Sequence, residues 1–336
     1  MLAALLASVL SVAAGAAGAQ AFNPASLIPL AMTVLKVEAP GADGRLNVGT
    51  GITVAPGVVV TNCHVTRDAI SIRVVKRAAV WRAIGQYADV KHDLCFLAVP
   101  AWRGTPVTFA EPGSLHLYQR VVAMGFTGGA DMSLSRGEIT GLHLHDGGWV
   151  IQSTSSFTSG ASGGALLDEQ GRLLGVLTFR LRGNISHYFS IPASWVVARL
   201  PVSSDWFQPV GPLMDARAFW EGDRCCTPYF MRVGDLQSGS RWKELLGVAD
   251  EWLAADPGDA DAWFAKGLAQ ARLGQSRAAL ATLARTTELA PQHANAWFEL
   301  GAASIEVRDM AGAGRARDAL AGLGSDLAGK LSSRMQ

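Results

Sequence analysis

Thr158-Ser159-Gly160-Ala161-Ser162-Gly163-Gly164-Ala165-Leu166 runs into the apolar stretch Leu173-Leu174-Gly175-Val176-Leu177. A loop of such small residues lets one backbone approach another closely and leaves amide groups uncovered. Taken alone it is an ordinary Gly/Ser connector. Two segments upstream give it weight. Thr61-Asn62-Cys63-His64-Val65 follows the run Val58-Val59-Val60, and His92-Asp93 opens the run Leu94-Cys95-Phe96-Leu97-Ala98-Val99. Each has a plain explanation too, a core or surface histidine and a turn-forming aspartate. Together they place an imidazole, a carboxylate and a hydroxyl at the ends of predicted strands.

Working outward, the texture from Ala31 to about Leu200 is uniform. Short β-branched runs are broken by Gly, Pro, Asn and Asp: Thr33 to Val37, Gly51 to Val54, Ile72 to Val75, Val121 to Met124 and Trp149 to Ile151. Many short strands with frequent turn signals predict an all-β sandwich or barrel. No helical crossover pattern separates them.

The three residue types make chemical sense as a set. A serine hydroxyl is a poor nucleophile near neutrality and needs a base within hydrogen-bond reach. His64 is the candidate base for Ser162, and Asp93 the carboxylate that fixes the imidazole tautomer and stabilises the imidazolium. Asp89 is the rival carboxylate; Asp93 is preferred because it directly opens the apolar strand. The backbone amides of Gly160 and Ser162 are the candidate oxyanion donors.

In the order His64, Asp93, Ser162, with separations of 29 and 69 positions, these segments resemble the trypsin-fold serine proteases. They are most similar to the bacterial Deg-type branch, which has Thr-Asn-x-His-Val and Gly-x-Ser-Gly-Gly segments in this context. The resemblance implies a double β-barrel and peptide-bond hydrolysis through an acyl-enzyme. It places Ser156, six residues before the nucleophile, at the base of the S1 pocket, where the lack of an acidic residue argues against a Lys or Arg preference. It also implies that Thr178-Phe179-Arg180 pairs with substrate as an added strand. His187-Tyr188-Phe189-Ser190-Ile191-Pro192 resembles the last barrel strand, which puts His187 near the pocket wall. Two preferences stay open: a shallow pocket for small apolar side chains, which is favoured, or a histidine-assisted preference for acidic ones. Deg-type enzymes commonly carry a peptide-binding PDZ module after the protease. None is legible here.

Beyond Ser240 the chain turns Ala-rich and helical in pattern, and it repeats. Asp261-Ala262-Trp263-Phe264-Ala265-Lys266-Gly267 recurs 34 residues later as Asn295-Ala296-Trp297-Phe298-Glu299-Leu300-Gly301, and Pro257 and Pro291 keep the same offset. A 34-residue period with Trp, Gly and a terminal Pro in register resembles the tetratricopeptide repeat. Such arrays present a groove to proteins or peptides, so the repeats imply a partner- or substrate-binding role. The alternative is a helical cap that helps the β domain fold. The predicted organisation is 1–21 signal peptide, 22–200 protease domain, 201–239 linker or docking segment, and 240–336 helical repeats. The Pro-rich segment 201–236 shows no clear period.

With 336 residues the chain can hold two domains. A net charge of +1, with no basic stripe, argues against a phosphate-driven nucleic-acid binder. Met1 to Ala21 is uncharged and ends in Ala19-Gln20-Ala21, which reads as a secretory signal although it lacks a basic n-region. An uncleaved anchor or a buried helix are the other readings. Export to the periplasm or beyond is therefore expected, with no membrane span after cleavage. Cys63, Cys95, Cys225 and Cys226 lack zinc-site spacing, and no metal or cofactor is called for. Cys63 and Cys95 are either buried thiols or a bridge, and the adjacent Cys225 and Cys226 stay unassigned. The functional expectation is a serine endopeptidase. Its alternatives are a catalytically silent peptide-binding scaffold on a protease fold, or an enzyme whose site assembles only on partner binding.

Overall fold

β-branched runs alternate their side chains between two faces, and here nearly every such run has become a strand buried on at least one face. The computed structural model describes residues 30–111, 113–129, 131–181, 187–213, 217–223 and 226–336. The segment read as a signal peptide and Cys225 lie outside them.

The first β unit holds β1 (Val34–Pro40), β2 (Leu46–Ala55), β3 (Val58–Thr61), β4 (Arg73–Lys76), β5 (Ala79–Arg82), β6 (Gly85–Asp89) and β7 (Leu94–Ala98). They form one seven-stranded sheet in the order β5-β4-β1-β2-β3-β7-β6. The second holds β8 (Arg120–Phe126), β9 (Met132–His145), β10 (Gly148–Ser153), β11 (Ala165–Leu167), β12 (Leu173–Leu181) and β13 (His187–Pro192), closed into a barrel in the order β10-β13-β12-β11-β8-β9. The one-turn helix α1 (Cys63–Thr66) follows β3, and α2 (Ala193–Arg199) follows β13. A disulfide joins Cys63 to Cys95, tying α1 to the strand beside it, where Thr61 already faces Cys95 in the β3–β7 ladder. Closing a loop of 32 residues is worth about 3–4 kcal/mol in chain-entropy terms.

Seven helices follow: α3 (Tyr229–Ser238), α4 (Trp242–Ala255), α5 (Ala260–Arg272), α6 (Ser276–Leu289), α7 (Ala294–Glu306), α8 (Met310–Gly322) and α9 (Leu327–Met335). The sequence repeat is a structural one. Trp263 donates its indole N–H to Pro257 O at 2.9 Å, and Trp297 does the same to Pro291 O at 2.8 Å. Asp259 and His293, 34 apart, both cap the helix that follows through their side chains. Gly267 and Gly301 sit where a Cβ would press into Leu283 and Leu331. Helix α3 begins inside the stretch read as linker, and it is docked: Phe230 and Met231 share one buried core with Phe179, Phe189 and Trp195 of the β region.

The helical module is also fastened by polar contacts. Tyr118 Oη accepts from Ala294 N at 2.8 Å. His143 of β9 stacks flat on Phe230, with centroids 4.4 Å apart, and pairs through Nδ1 with Asp261 Oδ2 at 2.9 Å. Burial opposes the charge on both, yet each holds the other ionised: the His143 pKa is raised and that of Asp261 lowered. The pair therefore stabilises docking in a window. Its contribution fades as pH falls through the depressed Asp261 value and as pH rises through the elevated His143 value. Asp261→Asn is expected to lower stability by about 2 kcal/mol near pH 6, between exposed and fully buried pairs. The loss should shrink above the His143 pKa, and denaturant melts at several pH values would check it.

Candidate active site

The site lies where the two β units face each other, and each predicted residue arrives on a different element. Helix α1 carries His64, the turn before β7 carries Asp93, and the loop before β11 carries Ser162. Asp93 is fully buried and takes a positive φ of 57°, a backbone region that non-glycine residues other than Asn and Asp seldom enter. Its Oδ1 accepts from His64 N at 2.9 Å and its Oδ2 meets His64 Nδ1 at 2.7 Å. Burial works against a charged His64 ring, but the Asp93 carboxylate and its hydrogen bond outweigh it, so the His64 pKa stands above its ordinary value. The rival Asp89 is engaged elsewhere, with His92 at 2.8 Å and with Arg199.

Ser162 Oγ donates to Thr178 O at 3.4 Å. Among the described residues no hydrogen bond joins it to His64. Thr178 stands between the two halves: its Oγ1 accepts from Asn62 Nδ2 at 3.2 Å, and Asn62 Nδ2 also bonds to Asp93 O at 3.0 Å. Catalytic hydrogen bonds in unliganded sites are often long or misaligned and tighten only around substrate.

The Ser162 loop is held in one arrangement by the strand opposite. Thr50 of β2 donates Oγ1 to Gly160 O at 2.7 Å and its own N–H to Ser162 O at 2.7 Å. Gly128 N donates to Ser159 O at 2.7 Å, and Gly164 N to Ala161 O at 2.9 Å. In a trans peptide the carbonyl and the following N–H point opposite ways. Bonding the Ser159 and Ala161 carbonyls therefore turns the N–H groups of Gly160 and Ser162 to the other side. Among the described residues neither has a protein acceptor, while Ala161, Gly163 and Gly164 donate to Thr158, Leu177 and Ala161 carbonyls. Two amides, one of them the serine's own, are thus left without a protein acceptor.

Gly160 adopts φ +95°, and a Cβ there would lie 2.4 Å from Phe126 O and 2.7 Å from Gly129 N. Both obstacles are backbone. Gly160→Val is thus expected to rotate the amide away; if that amide is the oxyanion donor the family resemblance implies, kcat should fall by about 10²–10³. Circular dichroism should change little, and steady-state kinetics on a peptide substrate is the check.

The remaining predicted residues are placed as follows. Ser156 is exposed and bonds Ser135 Oγ at 3.1 Å. Phe179 is buried and Arg180 Nη1 reaches Phe157 O at 3.4 Å. His187 opens β13, and its Nδ1 takes a hydrogen bond from Gln152 at 2.9 Å. Burial lowers the His187 pKa, and nearby His143 adds to this. One residue was not anticipated. Trp220, from the Pro-rich segment, donates its indole N–H to Asp93 Oδ2 at 3.1 Å, meets the His64 ring edge-on at 5.4 Å and stacks on Phe179 at 5.1 Å. Its neighbour Glu221 pairs with Arg67. The adjacent aromatics Phe219-Trp220 in an otherwise aperiodic stretch were the available signal, since such a pair must be covered by something.

Comparison with known proteins bears on the fold that carries this site. Residues 49–176 match the family described as trypsin-like peptidase domain. The chain carries a trypsin-like peptidase domain. Relatives of this domain include a probable periplasmic serine endoprotease DegP-like of Chlamydia trachomatis, 31% identical over 157 residues, which are 43% of this chain and 31% of the relative. The periplasmic serine endoprotease DegP of Salmonella typhimurium is 29% identical over 163 residues, 45% of this chain and 34% of the relative. The magnetosome formation protease MamE of Magnetospirillum gryphiswaldense is 29% identical over 187 residues, 51% and 24% respectively. The chain thus spans about a third or less of the length of these relatives. Among solved structures, the active form of the Rv3671c protease from M. tuberculosis superposes with a TM-score of 0.51 at 22% identity, covering 58% of this chain and 91% of that one. That likeness bears on the fold of the peptidase domain.

Proposed function

We propose that the chain is an exported serine endopeptidase that hydrolyses peptide bonds in proteins through an acyl-enzyme. The observation that carries this reading is that the Gly160 and Ser162 amides have no protein acceptor among the described residues while His64 is locked onto Asp93 at 2.7 Å. In this reading Ser162 rotates from Thr178 O toward His64 when substrate enters. His64 takes its proton as the hydroxyl attacks the scissile carbonyl, and the two amides hold the oxyanion. His64 then returns the proton to the leaving amine, and water repeats the sequence to release the acid. Asp93 keeps the imidazole in the tautomer that accepts at Nε2.

The substrate chain would pair with the free edge of β12 beyond Leu177, around Thr178, Phe179 and Arg180. A small uncharged side chain suits the residue before the scissile bond. Ser156 brings no charge there, and the depressed pKa of His187 keeps that ring neutral. Export is supported by the Cys63–Cys95 disulfide, which belongs to oxidising compartments, and by relatives described as periplasmic. Among the described residues no helix is long and apolar enough to cross a membrane. The helical repeats would present their remaining surface to a protein partner or substrate.

A fluorophosphonate probe should label the full chain at Ser162, mapped by mass spectrometry, and Ser162→Ala should lose the label. Folded protein that stays unlabelled and cuts no unfolded substrate would instead favour the silent scaffold. Labelling that appears only with an added peptide would favour a site assembled by its partner, in keeping with Ser162 resting on Thr178. Because His64 must be neutral to act as base and its pKa is raised, the acid limb of kcat/KM is expected at a pH above 6.5. Activity should fall below that limb, and a pH–rate profile reads it directly.

A further inference from the structure

The free edge of β12 leads to a cavity that the β domain does not make alone. Phe179, Arg180 and Leu181 pair with β13 on one side, with Thr178 the extra residue of a bulge, while backbone pairing on the other side of the strand ends at Leu177. Just past this edge lies a cavity of about 330 Å³ whose apolar lining is Leu181, Trp220, Met231, Leu236 and Val248; Thr227 and the charged Arg232, Asp235, Arg241 and Glu244 line it too. Leu181 belongs to the barrel, Trp220 to the connecting segment, Met231 and Leu236 to α3, and Val248 to α4. Helix α3 comes close enough here that a Cβ on Gly234 would touch Leu181 Cδ1 at 3.2 Å.

Resting on the endopeptidase reading, we propose that this cavity is a substrate subsite, built jointly by the barrel and the helical module, that takes a bulky uncharged apolar side chain at the fourth residue before the scissile bond. The register follows from the strand. Ser162 bonds to Thr178 O, so the residue before the scissile bond lies opposite Thr178. Thr178 is a bulge residue, and the strand is regular from Phe179 to Leu181, so an antiparallel peptide advances there one residue per strand residue, about 3.4 Å each. Its fourth residue falls opposite Leu181, and directly opposed residues share a face of the sheet. Leu181 shares the face of Phe179, two residues away, which Trp220 covers. The fourth side chain is therefore aimed into the cavity.

The lining settles the chemistry. Most of its exposed wall is apolar, from aliphatic, aromatic and thioether groups, and the volume is at the small end of ligand sites, about 300–1,000 Å³, which suits one large side chain. The charged side chains that share the lining are matched by partners. Arg241 pairs with Glu244 at 2.8 Å and lies 3.8 Å from Asp235, while Arg232 pairs with Glu251 at 2.8 Å and covers the Tyr229 ring. A charged side chain entering the cavity would lose water without meeting an unspent partner.

The test uses the full chain carrying Ser162→Ala, so that binding is read without turnover. Fluorescein-labelled peptides, extended and identical except at the fourth residue before the scissile position, are titrated by fluorescence anisotropy. Leu or Phe at that position should bind at least about tenfold tighter than Gly, the range of hydrophobic pocket discrimination, and Asp or Lys no tighter than Gly. Val248→Trp, which fills the cavity, should erase the Leu preference. Val248→Ala, the milder change, should shift preference from Leu toward Phe. Equal binding of the Leu and Gly peptides, or a Leu preference that survives Val248→Trp, overturns the subsite. These results leave the endopeptidase reading intact if the unmutated chain is labelled by fluorophosphonate. A chain that neither takes the label nor binds any of the peptides loses both.

Discussion

Ser162→Ala and His64→Ala are each expected to lower kcat by about 10⁶, and the double variant to be no slower than either single one. The reason is that the hydroxyl becomes a nucleophile only while the imidazole accepts its proton. Removing either end removes the whole relay, and the second removal has nothing left to take. What survives, about 10³–10⁴ over water, comes from the oxyanion amides and from substrate positioning, both of which lie on backbone untouched by these changes. The stability cost should be small, since both side chains are partly exposed, and thermal melts separate lost chemistry from lost folding. His64→Ala reducing kcat by less than tenfold would mean that Ser162 never turns from Thr178 O to the imidazole. The site would then be a peptide-binding cleft.

Legibility in the sequence followed burial and period. The runs from Val58, Leu94, Val121 and Leu173 are strands because apolar β-branched clusters between turn formers have few other ways to be buried. β9 is not legible: its 14 residues are mostly exposed or half-buried, with only Ile139 and Gly141 buried and charges and histidines mixed in, so no apolar run announces it. His143 on that strand gains its meaning only from Asp261, more than a hundred residues away. The helical repeat was legible because Trp, Gly and Pro keep one 34-residue register. The docking of α3 was not, because a segment held by aromatic contacts needs no period of its own. The candidate triad was legible as three local motifs. The hold on Asp93 was legible in part: α1 closes over it from an adjacent motif, but the third donor arrives on Trp220, 127 positions later, with nothing local to mark it. The Cys63–Cys95 choice, open in the sequence, is closed by the β3–β7 ladder, which sets Thr61 opposite Cys95 and so starts α1, with Cys63, beside it.

That third donor bears on the second large effect. Asp93→Asn is expected to lower kcat by about 10⁴ while leaving the fold in place. Asparagine tolerates the positive φ at this position, so the turn survives. The amide cannot replace the carboxylate, however. Either its NH₂ faces His64 Nδ1 and forces the proton onto Nε2, the wrong tautomer for a base, or its oxygen does so without the charge that steadies an imidazolium. Trp220→Phe probes the same carboxylate from outside the barrel. It keeps a ring to stack on Phe179 and deletes only the N–H that holds Asp93 Oδ2. A hydrogen bond to a charged group is worth about 1.5–3 kcal/mol, but His64 N and Nδ1 still hold the carboxylate, so a loss of about tenfold in kcat with KM little moved is expected. In the Asp93→Asn background the same change should have almost no further effect on kcat, because there is no longer a carboxylate to orient. A full tenfold loss in both backgrounds would show that Trp220 acts on Phe179 and the substrate edge, and not on the aspartate. Rapid-quench or steady-state kinetics on the four chains, with melts as control, decides between these two roles.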